Sequence, residues 1–109
     1  MSGTWDRLIE MVEEGEALTL PWMAVLNVAQ SIYADSAYRG SLDNAKALHD
    51  ELLPGWWWAI EPETVGGTVS VGHPDVRRGP FFGQAMAGTA HAPARSWLLA
   101  ILRAKAGAP

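Results

Sequence analysis

The sequence predicts a small α+β domain in which an antiparallel sheet of two or three strands packs against helices, and three observations carry that prediction. Apolar residues recur at helical spacing near both ends of the chain. A run of large aromatic and β-branched residues, Trp56-Trp57-Trp58-Ala59-Ile60, follows the breaker Pro54-Gly55. Gly66-Gly67 then marks a hairpin turn before Thr68-Val69-Ser70-Val71, which alternates as a strand should. At 109 residues the chain suits one domain, here 1–109, with an N-terminal helical part over 1–40 and a helix-hairpin-strand-helix core over 41–106. Apolar residues make up 49% and charged ones 18%, far from the composition of a disordered chain, and six tryptophans are expected to dominate the packing.

Each element has a local reason. Thr4 is placed to cap a helix from Trp5 to Glu14, with Trp5, Leu8, Ile9 and Val12 on one face and Gly15 as its stop. Pro21, a good first-turn residue, opens a second helix reaching Tyr33 or Ala37. Its stripe of Trp22, Val25, Leu26, Ala29, Ile32 and Tyr33, widened by Met23 and Val28, requires burial on more than one side or a partner. Gly40 ends that segment and Ser41 caps a third helix over Leu42 to Leu53, with Leu42, Ala45, Leu48, His49 and Leu52 along one face.

In the Trp-rich strand, Trp56, Trp58 and Ile60 share a face and Trp57 points to the other, where the first two helices are expected to cover it. Val69 and Val71 point inward from the second strand. The stretch from Phe81 to Thr89 reads as a third strand that Gly83 and Gly88 weaken. Pro93 opens a closing helix with a core stripe of Ala94, Trp97, Leu98, Ile101 and Leu102, and with Arg95, Arg103 and Lys105 in water.

Composition narrows the function classes. Without cysteine there is no disulfide framework, thiolate zinc site or cysteine nucleophile, which agrees with a cytosolic location. The first residues lack the basic flank, apolar run and cleavage site of an export signal. The longest largely apolar stretch, Leu18 to Ala29, falls short of the ~20 residues that span a bilayer. A formal charge of −4 argues against a general phosphate-binding surface and so against direct nucleic-acid binding.

No arrangement of reactive residues assembles a catalytic, cofactor or metal site. His49, His73 and His91 offer no pair at i and i+4 for zinc, so a structural or solvated role is expected, with His49 at a helix edge beside Asp50 and Glu51. Ser70 and Ser96 stand in no nucleophile elbow. Gly66-Gly67 lacks the Lys-Ser/Thr of a phosphate loop, and Glu61-Pro62-Glu63 reads as a solvated loop rather than an acid–base pair.

Two stretches are candidates for contact with another molecule. Within His73 to Phe82, the residues Arg77, Arg78, Phe81 and Phe82 combine charge and aromatic area on a Pro/Gly-stiffened loop, as interaction hot spots do. The competing reading makes the phenylalanines core and pairs the arginines with nearby acids. Glu10, Glu13 and Glu14, with Glu16, form the densest acidic cluster.

From Ser41 onward the order of residues is similar to that of a known family. Ser41, Leu42, Asp43 and Ala45, then Leu53, Pro54, Gly55, Trp56 and Trp58, and finally Pro93, Ala94, Arg95, Leu98, Leu99 and Leu102 resemble the phage ABA-sandwich family, small phage and prophage proteins. The resemblance implies a three-layer α/β/α sandwich, a bacteriophage or prophage origin, and no assigned reaction. With the missing site and the acidic charge, it leads to the expectation of a non-enzymatic accessory protein without cofactor, acting by protein–protein contact in the bacterial cytoplasm. Two alternatives are an acidic inhibitor of a host defence system, of the anti-CRISPR kind, and a self-assembling or minor virion protein, for which the apolar second helix and the tryptophans would form a homodimer contact.

Overall fold

The computed structural model describes residues 3–62, 67–72, 82–87 and 92–107. In chain order they form α1 (Thr4–Glu14), a single 3-10 turn (Trp22–Ala24), α2 (Val28–Tyr38), α3 (Leu42–Leu52), β1 (Trp57–Pro62), β2 (Gly67–Gly72), β3 (Phe82–Ala87) and α4 (Ala92–Gly107). The three strands make one antiparallel sheet in the order β1-β2-β3. Trp58 stands opposite Val71 and Ile60 opposite Val69, while Val69 also pairs with Ala85 and Val71 with Gly83. The α+β class is therefore as the sequence predicts.

The layers take their order from α4. Every residue from Ser96 to Leu102 is buried, as are Ala94 and Ala104. A helix apolar around its whole circumference needs cover on opposite sides. On one side α4 packs against β2 and β3, and on the other against α1, α2 and α3. Among the described residues α4 thus lies between the sheet and the other three helices. The single stripe expected for this helix was too narrow, since Leu99 and Ala100 are as buried as Leu98 and Ile101.

Trp57 does not receive the expected cover from the first two helices, which pack chiefly against α3 and α4, and it remains 45% exposed. Its indole instead lies over the backbone of Gly72, its register partner, where an added Cβ would come within contact of the ring. Glu61 and Pro62, expected in a solvated loop, close β1.

Local signals explain the helix ends. Gly15 stops α1 in the left-handed region at φ 70° and donates its N–H to the Met11 carbonyl. Thr4 lies inside the helix, and Gly3 precedes it with its N–H donated to Asp6 Oδ2 at 3.3 Å. Ser41 Oγ accepts from the Asn44 N–H and caps α3 as expected. The second helix begins later than Pro21 predicts. Asn27 Oδ1 accepts the Gln30 N–H at 2.8 Å while Gln30 Oε1 accepts the Asn27 N–H at 3.2 Å, a reciprocal cap that outcompetes proline's weaker preference. Substituting Asn27→Ala is expected to cost about 1 kcal/mol in urea unfolding, the usual loss for an N-cap.

Candidate functional site

His49 packs where α3 meets α4. It is not at the helix edge but 1% exposed, between α3 and α4. The Trp97 indole N–H can only donate, so its 3.2 Å bond makes His49 Nδ1 the acceptor. His49 Nε2 then carries the hydrogen and donates to the Trp56 carbonyl at 3.0 Å. Both ring nitrogens are engaged within the protein. Trp97 in turn stacks on Trp58 with ring centroids 4.5 Å apart, so one chain of contacts ties α3, α4 and β1 together. Among the described residues no group of three or more His, Asp or Glu side chains is placed to hold a metal ion. His73 and His91 lie outside the described residues.

A cleft of about 300 Å³ opens beside α4, lined by Gly15, Glu16, Ala17, Leu18, Tyr38, Arg39 and Arg95. Arg95 was expected in water and is half-buried here. Its Nε and Nη2 donate to the Tyr38 carbonyl at 3.3 and 3.0 Å, and its guanidinium lies 4.4 Å above the Tyr38 ring. A Cβ on Gly15 would stand 2.7 Å from Arg95 Nη1. One cation therefore meets the C-terminal ends of α1 and α2, where helix dipoles favour positive charge. Around it, Tyr38 donates its hydroxyl to the Ala17 carbonyl at 2.8 Å, and Arg39 donates Nη2 to the Leu18 carbonyl at 2.7 Å. Arg39 also bonds Asp35 through Nε at 2.9 Å, and this hydrogen bond and charge raise its pKa above the ordinary value. Through the bonds to the Ala17 and Leu18 carbonyls, Tyr38 and Arg39 tie the segment after α1 to the end of α2.

The acidic cluster is exposed and partly neutralised. Glu13 meets Arg103 at 3.2 Å and Glu10 meets Arg7 at 3.9 Å. Exposed pairs of this kind contribute little to stability, but they reduce the local negative field. Of the loop candidates, Arg77, Arg78 and Phe81 lie outside the described residues, and Phe82 opens β3 in register with Gly72.

The largest described apolar exposure is elsewhere. Trp22 and Leu26 of the 17–34 segment are buried, whereas Leu18, Met23, Val28 and Ile32 are 58–80% exposed. Val28 and Ile32 are one turn apart and share a face of α2. The segment from Ala17 to Ala34 contains no charged residue in a chain that carries twenty Lys, Arg, Asp and Glu. Sequence alone had left this helix either doubly buried or facing a partner, and the structure buries one side and exposes the other. A chain-wide scan for uncharged stretches would have singled it out. Trp57 and Trp58, at 45% and 41% exposure, are partly open on opposite faces of β1.

Among the described residues no helix is long and apolar enough to cross a membrane. The chain matches no protein-family model, no curated protein and no solved structure with which it was compared.

Proposed function

We propose that this chain is a non-enzymatic accessory protein of phage or prophage origin that acts by contact with another protein, through the uncharged face at the start of α2. The carrying observation is the exposure of Met23, Val28 and Ile32 within an 18-residue stretch free of charge. Val28 and Ile32 lie one turn apart on α2 and Met23 in the 3-10 turn that precedes it, and exposed apolar side chains that form a patch mark sites where a partner covers them. The phage and cytoplasmic parts of the proposal rest on the resemblance over Ser41 to Leu102. The ion pairs of Glu10 and Glu13 weigh against the alternative of an acidic inhibitor, because a mimic of nucleic acid needs its charges unpaired.

The test compares two immobilised proteins in bacterial cytosol, the natural chain and a Val28→Glu, Ile32→Lys variant. The new pair is spaced i,i+4 in the favourable order, so thermal unfolding is expected to change by less than about 0.5 kcal/mol. A discrete protein retained in stoichiometric amount by the natural chain and lost from the variant is the expected result. Identical retention by both would refute the role of this face.

A further inference from the structure

We infer that the cleft beside α4 is a binding site for the carboxylate of a small organic acid, held by the outer edge of the Arg95 guanidinium. A guanidinium carries its N–H donors in one rigid plane. Arg95 gives Nε and Nη2, which share one edge of that plane, to the Tyr38 carbonyl at 3.3 and 3.0 Å. The adjoining edge, where Nη1 and Nη2 hold two parallel N–H groups, matches the two oxygens of a carboxylate.

Three observations leave that edge to a ligand. Among the described residues Arg7 pairs with Glu10, Arg39 with Asp35 and Arg103 with Glu13, whereas Arg95 forms no ion pair and its Nη1 has no hydrogen-bond partner. Arg95 is half-buried, so water and salt screen its charge less than that of the exposed Arg7. Gly15 stands beside Nη1, where a Cβ would come to 2.7 Å, so the missing side chain keeps this nitrogen open to the cleft that both residues line.

The surroundings select the ligand. The C-terminal ends of α1 and α2 and the exposed Glu16 all place negative charge beside the cleft, and Asp35 already neutralises Arg39. One unpaired cation in that field suits a single negative charge and disfavours a doubly charged phosphate. Ala17 and Leu18 offer apolar surface to the body of the acid. A volume of about 300 Å³ lies at the low end for ligand pockets and admits a small molecule. Met23, Val28 and Ile32 do not line the cleft, so this site and the α2 contact stand independently.

The experiment is proton–nitrogen correlation NMR of the full chain, titrated with sodium acetate at constant ionic strength, with sodium chloride as the control. Saturating changes at the Gly15, Glu16 and Ala17 amides and at Arg95 Nε are expected, with a Kd of about 1–10 mM. Phosphate should bind at least ~fivefold more weakly. Arg95→Lys keeps the charge but gives up the paired N–H edge, and is expected to weaken acetate binding at least ~tenfold while circular dichroism shows the native fold. Glu16→Gln removes a neighbouring negative charge at an exposed position, and should tighten binding about twofold to threefold. Shifts that grow linearly with acetate, or that chloride reproduces, overturn the inference, as does an Arg95→Lys protein that binds like the natural one. Should Arg95→Lys fail to fold, Glu16→Gln decides, and an unchanged affinity there overturns the site. Phosphate that binds as tightly as acetate overturns the assignment to carboxylates. Binding by Glu16→Gln but not by the natural chain would make Glu16 the occupant of the Arg95 edge and overturn the site.

Discussion

Replacing Trp97 with alanine is expected to lower stability by about 3–5 kcal/mol, a large share of the ~5–15 kcal/mol that holds a domain of this size together. Trp97 is 2% exposed and fills the space between α3 and β1. Urea unfolding followed by far-ultraviolet circular dichroism measures the loss, with the change read from the midpoint at constant slope. Trp97→Phe separates packing from the hydrogen bond. Phenylalanine keeps most of the ring area but leaves His49 Nδ1, inside the core, without its donor, which costs about 1–3 kcal/mol. His49→Leu removes the acceptor and the donation to the Trp56 carbonyl. Because the two residues share one bond, the double variant His49→Leu, Trp97→Phe should cost less than the sum of the single changes, with a coupling of about 0.5–3 kcal/mol. A Trp97→Phe protein within about 0.5 kcal/mol of the natural one would show that the bond does not matter.

Arg95→Ala is the second large effect, an expected loss of about 2–3 kcal/mol from the forked bonds to the Tyr38 carbonyl and the stack on its ring. Arg95→Lys should recover only a part, since an ammonium is a point charge and does not reproduce the planar fork. Gly15 gives an internal check. Gly15→Ala suffers twice, from the backbone at φ 70° and from a Cβ 2.7 Å from Arg95 Nη1. The backbone part, roughly 1 kcal/mol, persists in any background. The steric part should vanish when Arg95 is already alanine, so the two substitutions together cost less than their sum. Strict additivity in unfolding experiments would mean that the guanidinium does not hold the two helix ends.

Much of the architecture is legible along the chain. Gly15, Ser41, Pro54-Gly55 and Pro93 mark boundaries because each acts on backbone within a residue or two of itself, by a positive φ, a side-chain cap or a missing N–H. The alternation of 68–71 and the aromatic run of 56–60 identify β1 and β2, because a pleated strand sorts side chains by parity whatever lies around it. Where two local signals compete the reading fails, and Pro21 loses to the reciprocal cap of Asn27 and Gln30.

The candidate surfaces were less legible. Residues 17–34 announce their apolarity in the sequence, but which side of α2 is spent on the core depends on where α3 and α4 lie. Trp57 was placed on the correct face of its strand and given cover that the helices do not supply.

By itself the sequence determined the α+β class, the hairpin, most helix ends and the absence of charge from the start of α2, because these follow from residues within about one helical turn of each other. Only the tertiary structure decided that α4 is the central layer, that His49 is a core residue and that Arg95 clamps two helix ends. Those outcomes rest on partners 48 and 57 residues away in the chain, and no periodicity or cap encodes which distant group will satisfy a donor or cover a face.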